Sequence, residues 1–404
     1  MEKKNPSEQM VKGEKMEIRQ LTLQDFDKYR EISYRSYPSI RDFSPQGYQD
    51  YDQSVQALME SQNEELFFGA IEDGKVVGIM RHILFQMNIF GKMEEVGGFG
   101  YLGVDPFYKR RGLAGQLLAY FEKTALERGN HTALLLPFRP DFYHKFGYGF
   151  LGKMNQYQVQ TSYLPQKPDQ VTVREIKAQE ALTFRKNATG VLHGMTQVLA
   201  VEEEAFQDDL KNIYIGAFLD KKLIAYGKYH WKSLNEENYT QNAIVLSDLL
   251  SIHPLGIQGV LSHLRAQSDQ ARYVDFFSHQ KNLEQIMTNP TDQSHHYFAN
   301  GYIQTNIQAI GLMAKILNPC AFYQAHYQDQ AAIEIRTEDK VYRTSPNPKY
   351  SFYLPQACLA PLVFKEISFR QFLDLGLAQA APDDLKALEE IFPGGYTVYN
   401  NADF

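Results

Sequence analysis

VDPFYKRRGLAG, Val104 to Gly115, is the stretch on which the reading of the fold turns. Asp105-Pro106 stops a strand, and a short turn leads into a helix that begins near Arg111 and runs to Glu127. Lys109, Arg110 and Arg111 therefore sit at the N-terminal end of a helix, which already carries roughly half a positive charge and unpaired N–H groups. Cations there oppose the macrodipole by a few tenths of a kcal/mol each unless an anion is bound. Gly112, Ala114 and Gly115 carry little or no side chain, so a ligand can approach the backbone closely. The combination reads as an anion cradle suited to a pyrophosphate. The bland alternative, a solvated basic turn, does not explain why cations and small residues coincide directly after a strand.

Outward from this turn the elements alternate. Val96 to Val104 (VGGFGYLGV) predicts a strand, and GLAGQLLAYFEKTALE an amphipathic helix with Leu113, Leu117, Phe121 and Ala125 on one face. Gly129 is its C-cap, and Thr132 to Leu136 the next strand. Upstream, Glu65 to Ile71 and Val76 to Leu84 are strands joined by a hairpin turn at Glu72-Asp73-Gly74-Lys75. Met16 to Leu21 is a short strand, and Thr22 is placed to cap a helix with Asp25 in its first turn. Gly98, Gly100 and Gly103 match G-x-G-x-x-G, but they lie inside a strand instead of opening a helix, so a dinucleotide turn is not implied. Glycines in a strand mark a bulge or a close approach.

The same order recurs. FGAIEDGKVVG from Phe68 is similar to IGAFLDKKLIA from Ile215, a shift of 147 positions, and YLGVDP is similar to LLSIHP, a shift of 148. A constant shift over two blocks argues for a duplicated unit. The second copy continues into the helix LGIQGVLSHLRAQ but has no basic cluster. Pro290 and TDQSHH mark a break, followed by strands at Ala332 to Arg336 and Tyr350 to Leu354 and helices near Ser368 to Gly376 and Pro382 to Phe392. The chain divides into a flexible tail (1–14), a first domain (15–155), a repeat of it (156–300) and a third region (301–404), of α/β to α+β class.

A formal net charge of -7, with no long basic run, excludes a nucleic-acid footprint. No apolar stretch reaches membrane-spanning length, and the charged N-terminus is no signal peptide. Cys320 and Cys358 form neither a metal spacing nor a disulfide framework. They read as free thiols in a reducing compartment, hence a cytoplasmic location. The adjacent His295 and His296 make no metal pair, and no metal is expected.

KRRGLA, Lys109 to Ala114, resembles the coenzyme A-binding motif of the GNAT N-acetyltransferases, Q/R-x-x-G-x-G/A, with Lys109 in place of Gln or Arg. Further on, PFRPDFYHKFGYGF, Pro137 to Phe150, is similar to the Y-x-x-F-G-Y-G segment of the Eis (enhanced intracellular survival) acetyltransferases. The resemblance implies tandem GNAT folds, the second degenerate, and a C-terminal domain like sterol carrier proteins. It also implies acetyl-CoA as cosubstrate and a homo-oligomer, a hexamer in that family. Carried over, Tyr143 is the general acid, with Tyr148 a rival, and the terminal carboxylate of Phe404 the general base.

The chemistry sets matching demands. An alkyl amine with a pKa near about 10.4 must lose a proton before it attacks a thioester. The oxyanion then needs N–H donors, for which Leu102, Gly103 and Val104 at the strand end are candidates. A carboxylate with pKa near roughly 3.5 is a poor base for an ammonium unless burial raises it, so Phe404 acts through a water or as an electrostatic anchor. Asp25 and Asp27 either attract cationic acceptors or simply favour the first helical turn. The expected reaction is acetyl transfer to a primary amine of an aminoglycoside, a polyamine or a lysine side chain. The competing reading is a lipid-binding or scaffold protein with a vestigial GNAT domain. Against it, the first copy keeps its cradle while the second has lost one, so the repeat is expected to bind no coenzyme A.

Overall fold

Asp25 begins the first helix by reaching back: its carboxylate accepts the Thr22 N–H at 2.9 Å and is held by Arg19 at 2.8 Å. The pairing with Arg19 keeps the Asp25 carboxyl below its ordinary range. The structure, a computed structural model, describes residues 16–208, 210–298, 302–402 and 404. The tail expected at 1–14 lies outside the described residues. The chain forms two compact units.

The first unit comprises the described residues through Phe85, Glu95–Leu136 and Phe404. It contains β1 (Glu17–Gln20), α1 (Phe26–Ser36), α2 (Pro45–Ser61), β2 (Glu65–Glu72), β3 (Lys75–Ile89), β4 (Lys92–Val104), α3 (Leu113–Glu127) and β5 (Thr132–Leu135). The tip of the β3–β4 hairpin, Gln86–Glu94, belongs to the second unit. The sheet order is β1-β2-β3-β4-β5, with β1–β2 and β2–β3 antiparallel and β4–β5 parallel. Asp73 and Gly74, both with positive φ, make the β2–β3 turn where the sequence puts it. One face of the sheet is covered by α1 and α2 through Phe26, Tyr29, Ile32, Val55 and Met59 packed on Phe67, Ile71 and Ile79. The other receives α3, whose Phe121 ring lies 4.8 Å from His82 and 5.1 Å from Phe99.

Helix α2 has no counterpart in the sequence reading. Ser44 caps it, accepting the Gly47 N–H at 3.0 Å, and Pro45 opens it. Only Val55 and Met59 of its 17 residues are buried, so its apolar periodicity is too thin to stand out.

The second unit repeats the pairing order. β7 (Val171–Glu175), β8 (Ile213–Leu219), β9 (Lys222–Ser233) and β10 (Asn242–Ser251) are successively antiparallel, and β10 runs parallel to β11 (Ala271–Ser278). Helix α7 (Pro254–Arg265) connects those two parallel strands, as α3 connects β4 and β5. The β8–β9 turn, Asp220-Lys221, has positive φ at both positions, like Asp73-Gly74 a shift of 147 earlier. Preceding this array are α4 (Pro140–His144) and β6 (Gly149–Gln160); α5 (Ala178–Thr189) and α6 (Ala200–Glu203) lie between β7 and β8.

β6 pairs with β11 on one side and with β14 (Ile307–Ile316) on the other, after a two-residue ladder of β12 (Tyr297–Phe298) with β13 (Tyr302–Ile303). A separate sheet, β16-β15-β17-β18, is built from Ile333–Arg336 (β15), Val341–Arg343 (β16), Tyr350–Tyr353 (β17) and Gln379–Ala380 (β18). It lies in sequence among α8 (Pro319–His326), α9 (Gln356–Val363), α10 (Phe369–Asp374) and α11 (Leu385–Ile391). Among the described residues no helix is long and apolar enough to cross a membrane.

The chain's last segment is pinned to the second unit. Val398 is buried, Tyr399 N–H donates to the His193 carbonyl at 2.9 Å, and the Asn401 carboxamide accepts from Thr196 N at 2.9 Å and donates to Thr196 O at 3.2 Å.

Helix α9 crosses β6 closely. A Cβ at Gly149 would stand 1.7 Å from the Ala357 carbonyl oxygen, backbone against backbone. Neither partner can rotate away, so Gly149→Ala is expected to cost about 2 kcal/mol or more in overpacking. Urea unfolding should show a lowered midpoint; an unchanged midpoint would mean that α9 does not sit on β6 this way.

Candidate active site

Eight residues, 105 to 112, separate the end of β4 from the start of α3. Asp105 turns the chain by accepting the Phe107 N–H at 3.0 Å, and Lys28 pairs with its carboxylate at 3.2 Å. Arg110 then takes φ +65, and Gly112 occupies the N-cap position with φ +80. Gly112 offers no side chain to cap the helix, so the first-turn amides of α3 carry no side-chain cap. The space beside Gly112 is open: a Cβ there would meet only the Gln116 amide, at 4.0 Å. Arg111, though exposed, is engaged: it lies 3.3 Å from Glu72 and over the Tyr108 ring. Lys109 and Arg110 are exposed and form no ion pair among the described residues. Uncapped amides, an open glycine and two unpaired cations fit the phosphates of an extended cosubstrate.

The corresponding turn of the second array is built differently. Two residues, 252 and 253, separate β10 from α7, and His253 Nδ1 accepts the Leu255 N–H at 3.2 Å. The amide that an anion would need is taken by a side chain.

Before the cradle, β4 breaks its alternation. Gly97 faces Ala125 of α3, and Phe99 faces Phe121. Regular pleating would put Gly103 on that face too. Instead a Cβ at Gly103 would strike Ser36 Oγ at 2.7 Å and Ile32 at 3.0 Å, both from α1 on the opposite face. The reversal needs one extra residue, and Tyr101, with φ +49, is where the strand departs from extended geometry. Leu102, Gly103 and Val104 follow this bulge. Gly103 is buried and its missing side chain accommodates α1; the Leu102 carbonyl accepts from the Tyr37 hydroxyl at 3.0 Å.

Phe404 belongs to this unit. Its ring packs edge-on against Phe85 at 5.3 Å, and Gly100 lies beneath it, a Cβ there coming 3.8 Å from its Cδ1. The last residue thus sits on β3 and β4 one position before the bulge. Asp403 lies outside the described residues.

Around the bulge is a cluster that no local motif announces, because its members come from six separate places in the sequence. Arg81 of β3 is buried, bonded to Glu65 at 2.8 Å and to the Tyr29 hydroxyl at 2.6 Å, with its guanidinium 3.8 Å from the Tyr101 ring centre. Arg41, from the α1–α2 connection, stands 5.7 Å from the same ring and 4.7 Å from Tyr51. Asp25 and Asp27, weighed from sequence as attractors of cations, are engaged otherwise: Asp25 by Arg19, and exposed Asp27 by Arg30 at 3.2 Å.

Tyr143 lies in the second unit, on α4, buried with its ring edge-on to Phe142 at 5.1 Å and to Tyr148 at 6.2 Å. Burial pushes its phenol up to about 12. Tyr148 is fully buried, with Lys315 Nζ 5.7 Å from its ring centre. His144 is exposed and stacks on Phe150. Among the described residues no group of His, Cys, Asp and Glu could hold a metal ion.

Residues 17–151 match the family model for the acetyltransferase (GNAT) domain. In fold, the chain is similar to a GCN5-related N-acetyltransferase from Anabaena variabilis (TM-score 0.73, 14% identity, covering 95% of this chain and 98% of that one). It is similar also to Eis1 from Mycobacterium abscessus (TM-score 0.72, 16% identity, 96% and 100% covered). A third likeness is to a GCN5-related N-acetyltransferase from Kribbella flavida (TM-score 0.70, 15% identity, 95% and 97% covered). At these identities the likeness is one of fold. No curated protein sequence matches the chain. Residues 17–151 form a GNAT acetyltransferase domain, and the protein is an acetyltransferase.

The Tyr143 environment has a spectroscopic consequence. A phenol raised by burial stays protonated through the whole neutral and mildly alkaline range. The difference in phenolate absorbance between the wild type and Tyr143→Phe should be absent below about pH 11, one unit under the raised value. A difference that develops near pH 10 would place this side chain in water.

Proposed function

We propose that the chain transfers the acetyl group of acetyl-CoA to a primary amine, in the manner of the Eis acetyltransferases. The observation that carries this reading is the asymmetry of the two strand-to-helix turns. The first leaves the α3 amides uncapped beside Gly112, Lys109 and Arg110, while the second closes α7 with His253. A scaffold or lipid-binding protein has no use for a cradle kept in one copy only.

In this reading the backbone from Lys109 to Gly115, with the Lys109 and Arg110 side chains, holds the phosphates of acetyl-CoA. Leu102, Gly103 and Val104 line the acetyl group, where N–H donors would meet the developing oxyanion. Tyr143 is the proton donor toward the leaving thiolate. A phenol near about 12 facing a thiol of ordinary pKa, about 8.5, gives a strong hydrogen bond more readily than it surrenders its proton. The terminal carboxylate of Phe404 holds the acceptor ammonium and takes or relays its proton. The domain division at 155 and 300 goes with this proposal: an active GNAT fold, a degenerate one and a sterol-carrier-like C-terminal region. The matching strand orders of the two arrays support the duplication. So does the likeness of the fold to Eis1 over the whole chain.

Isothermal titration is expected to give one acetyl-CoA per chain, and Gly112→Val to abolish binding. A β-branched residue resists φ near +80, and its side chain would fill the open approach. Two sites per chain, or unchanged affinity in the variant, would sink the assignment.

Deleting Phe404, or extending the chain past it with Gly and Ser, should collapse turnover while acetyl-CoA still binds. Full activity in the extended protein would make the terminus a bystander.

A further inference from the structure

Among the described residues, Arg41 is a cation without a counter-ion. It is half-buried and forms no ion pair among the described residues. One of its donors goes to Ser33 Oγ at 3.0 Å, and its Nε–H is buried without an acceptor among the described residues. Four tyrosine rings surround the guanidinium: Tyr51 at 4.7 Å, Tyr101 at 5.7 Å, and Tyr34 and Tyr37 at 6.0 Å. Ring faces offset part of the cost of taking a guanidinium out of water, but they do not satisfy its N–H donors. Arg81, beneath the same Tyr101 ring, is the contrast, since Glu65 neutralises it.

The position matters as much as the charge. Tyr101 is the bulge residue, and the Tyr37 hydroxyl bonds the carbonyl of Leu102. Arg41 therefore stands beside the strand segment proposed to line the acetyl group, on the face where Phe404 packs against Gly100. Its placement is built from three directions. Ser33 on α1 receives both Arg41 and the Tyr51 hydroxyl of α2, at 2.8 Å for the latter, and β4 supplies Tyr101.

We infer that Arg41 binds an anionic group of the acceptor, so that the substrates are amines bearing a carboxylate, such as free amino acids, in preference to polycations. This rests on the acetyltransferase reading above. A guanidinium recognises a carboxylate by paired, charge-assisted hydrogen bonds. A polycationic acceptor would instead have to approach an unpaired like charge.

The test uses matched acceptors that differ only in the anion: lysine, lysinamide and cadaverine, and phenylalanine, phenylalaninamide and phenethylamine. Rates are followed by thiol release with the full-length protein. In at least one set the carboxylate form should exceed both forms that lack the carboxylate at least ten-fold in kcat/KM. Arg41→Gln should reduce that preference to within about two-fold, and Arg41→Lys should restore part of it. Melting temperatures of both variants exclude loss of fold, which a drop common to all acceptors would reflect. Equal rates for carboxylate and amide in the wild type would overturn the inference. So would a preference that survives in Arg41→Gln, or an effect explained by weaker acetyl-CoA binding, which would assign Arg41 to the cosubstrate. Acetylation of other amines but none of these carboxylates also overturns it while leaving the acetyltransferase reading intact. If acetyl-CoA does not bind at all, it is the underlying reading that fails.

Discussion

Helix α3 begins without a side chain bonded to its first amides, and the chemistry proposed for the first unit depends on that omission. A helix start ordinarily satisfies its orphan N–H groups with Ser, Thr, Asp or Asn, at a gain of about 1 kcal/mol. Three other helices follow this rule: Ser44 caps α2, Asn318 caps α8 and Ser368 caps α10. At α3 the chain places glycine instead, with φ +80, after an eight-residue turn that carries Lys109 and Arg110 into solvent. The arrangement leaves donors and like charges together, which is favourable once an anion is present. In the second array, the turn between β10 and α7 is two residues long and His253 occupies the Leu255 amide, so no comparable group of free donors and cations stands there.

The second constraint is the irregularity of β4. One extra residue at Tyr101 moves Gly103 from the α3 face to the α1 face, so α1 can lie directly on the strand end. The same irregularity sends the Tyr101 ring between two guanidinium groups. Phe404 reaches the adjacent position at Gly100. Within the second unit, residues 398 to 401 are held by Thr196, His193 and the burial of Val398, which offsets the entropy of ordering that segment.

Features carried by contiguous residues were legible in the sequence. The Asp73-Gly74 turn, the Thr22–Asp25 cap and the strand-to-helix turn at Val104–Gly115 all read from local composition and spacing. Features made by distant residues were not. Arg41, Tyr51, Arg81 and Tyr101 have no motif between them, and α2 hides behind a polar surface with two buried anchors. Gly98, Gly100 and Gly103 pointed to a bulge or a close approach in this strand, but not to Tyr101 as the residue with left-handed backbone; that placement goes with α1 packing on Gly103. Gly103 itself was singled out for contact with a ligand, and its packing against Ser36 and Ile32 supplies a structural reason that only the fold reveals.

The most direct measurement of the central claim is stoichiometric: acetyl-CoA consumption by the full-length protein with a panel of primary amines, reading free thiol and acetylated product in the same sample. The account predicts that thiol appears only with a suitable amine present, and that each thiol is matched by one acetylated amine. Thiol release without any acetylated amine, or bound acetyl-CoA that no amine discharges, would contradict it.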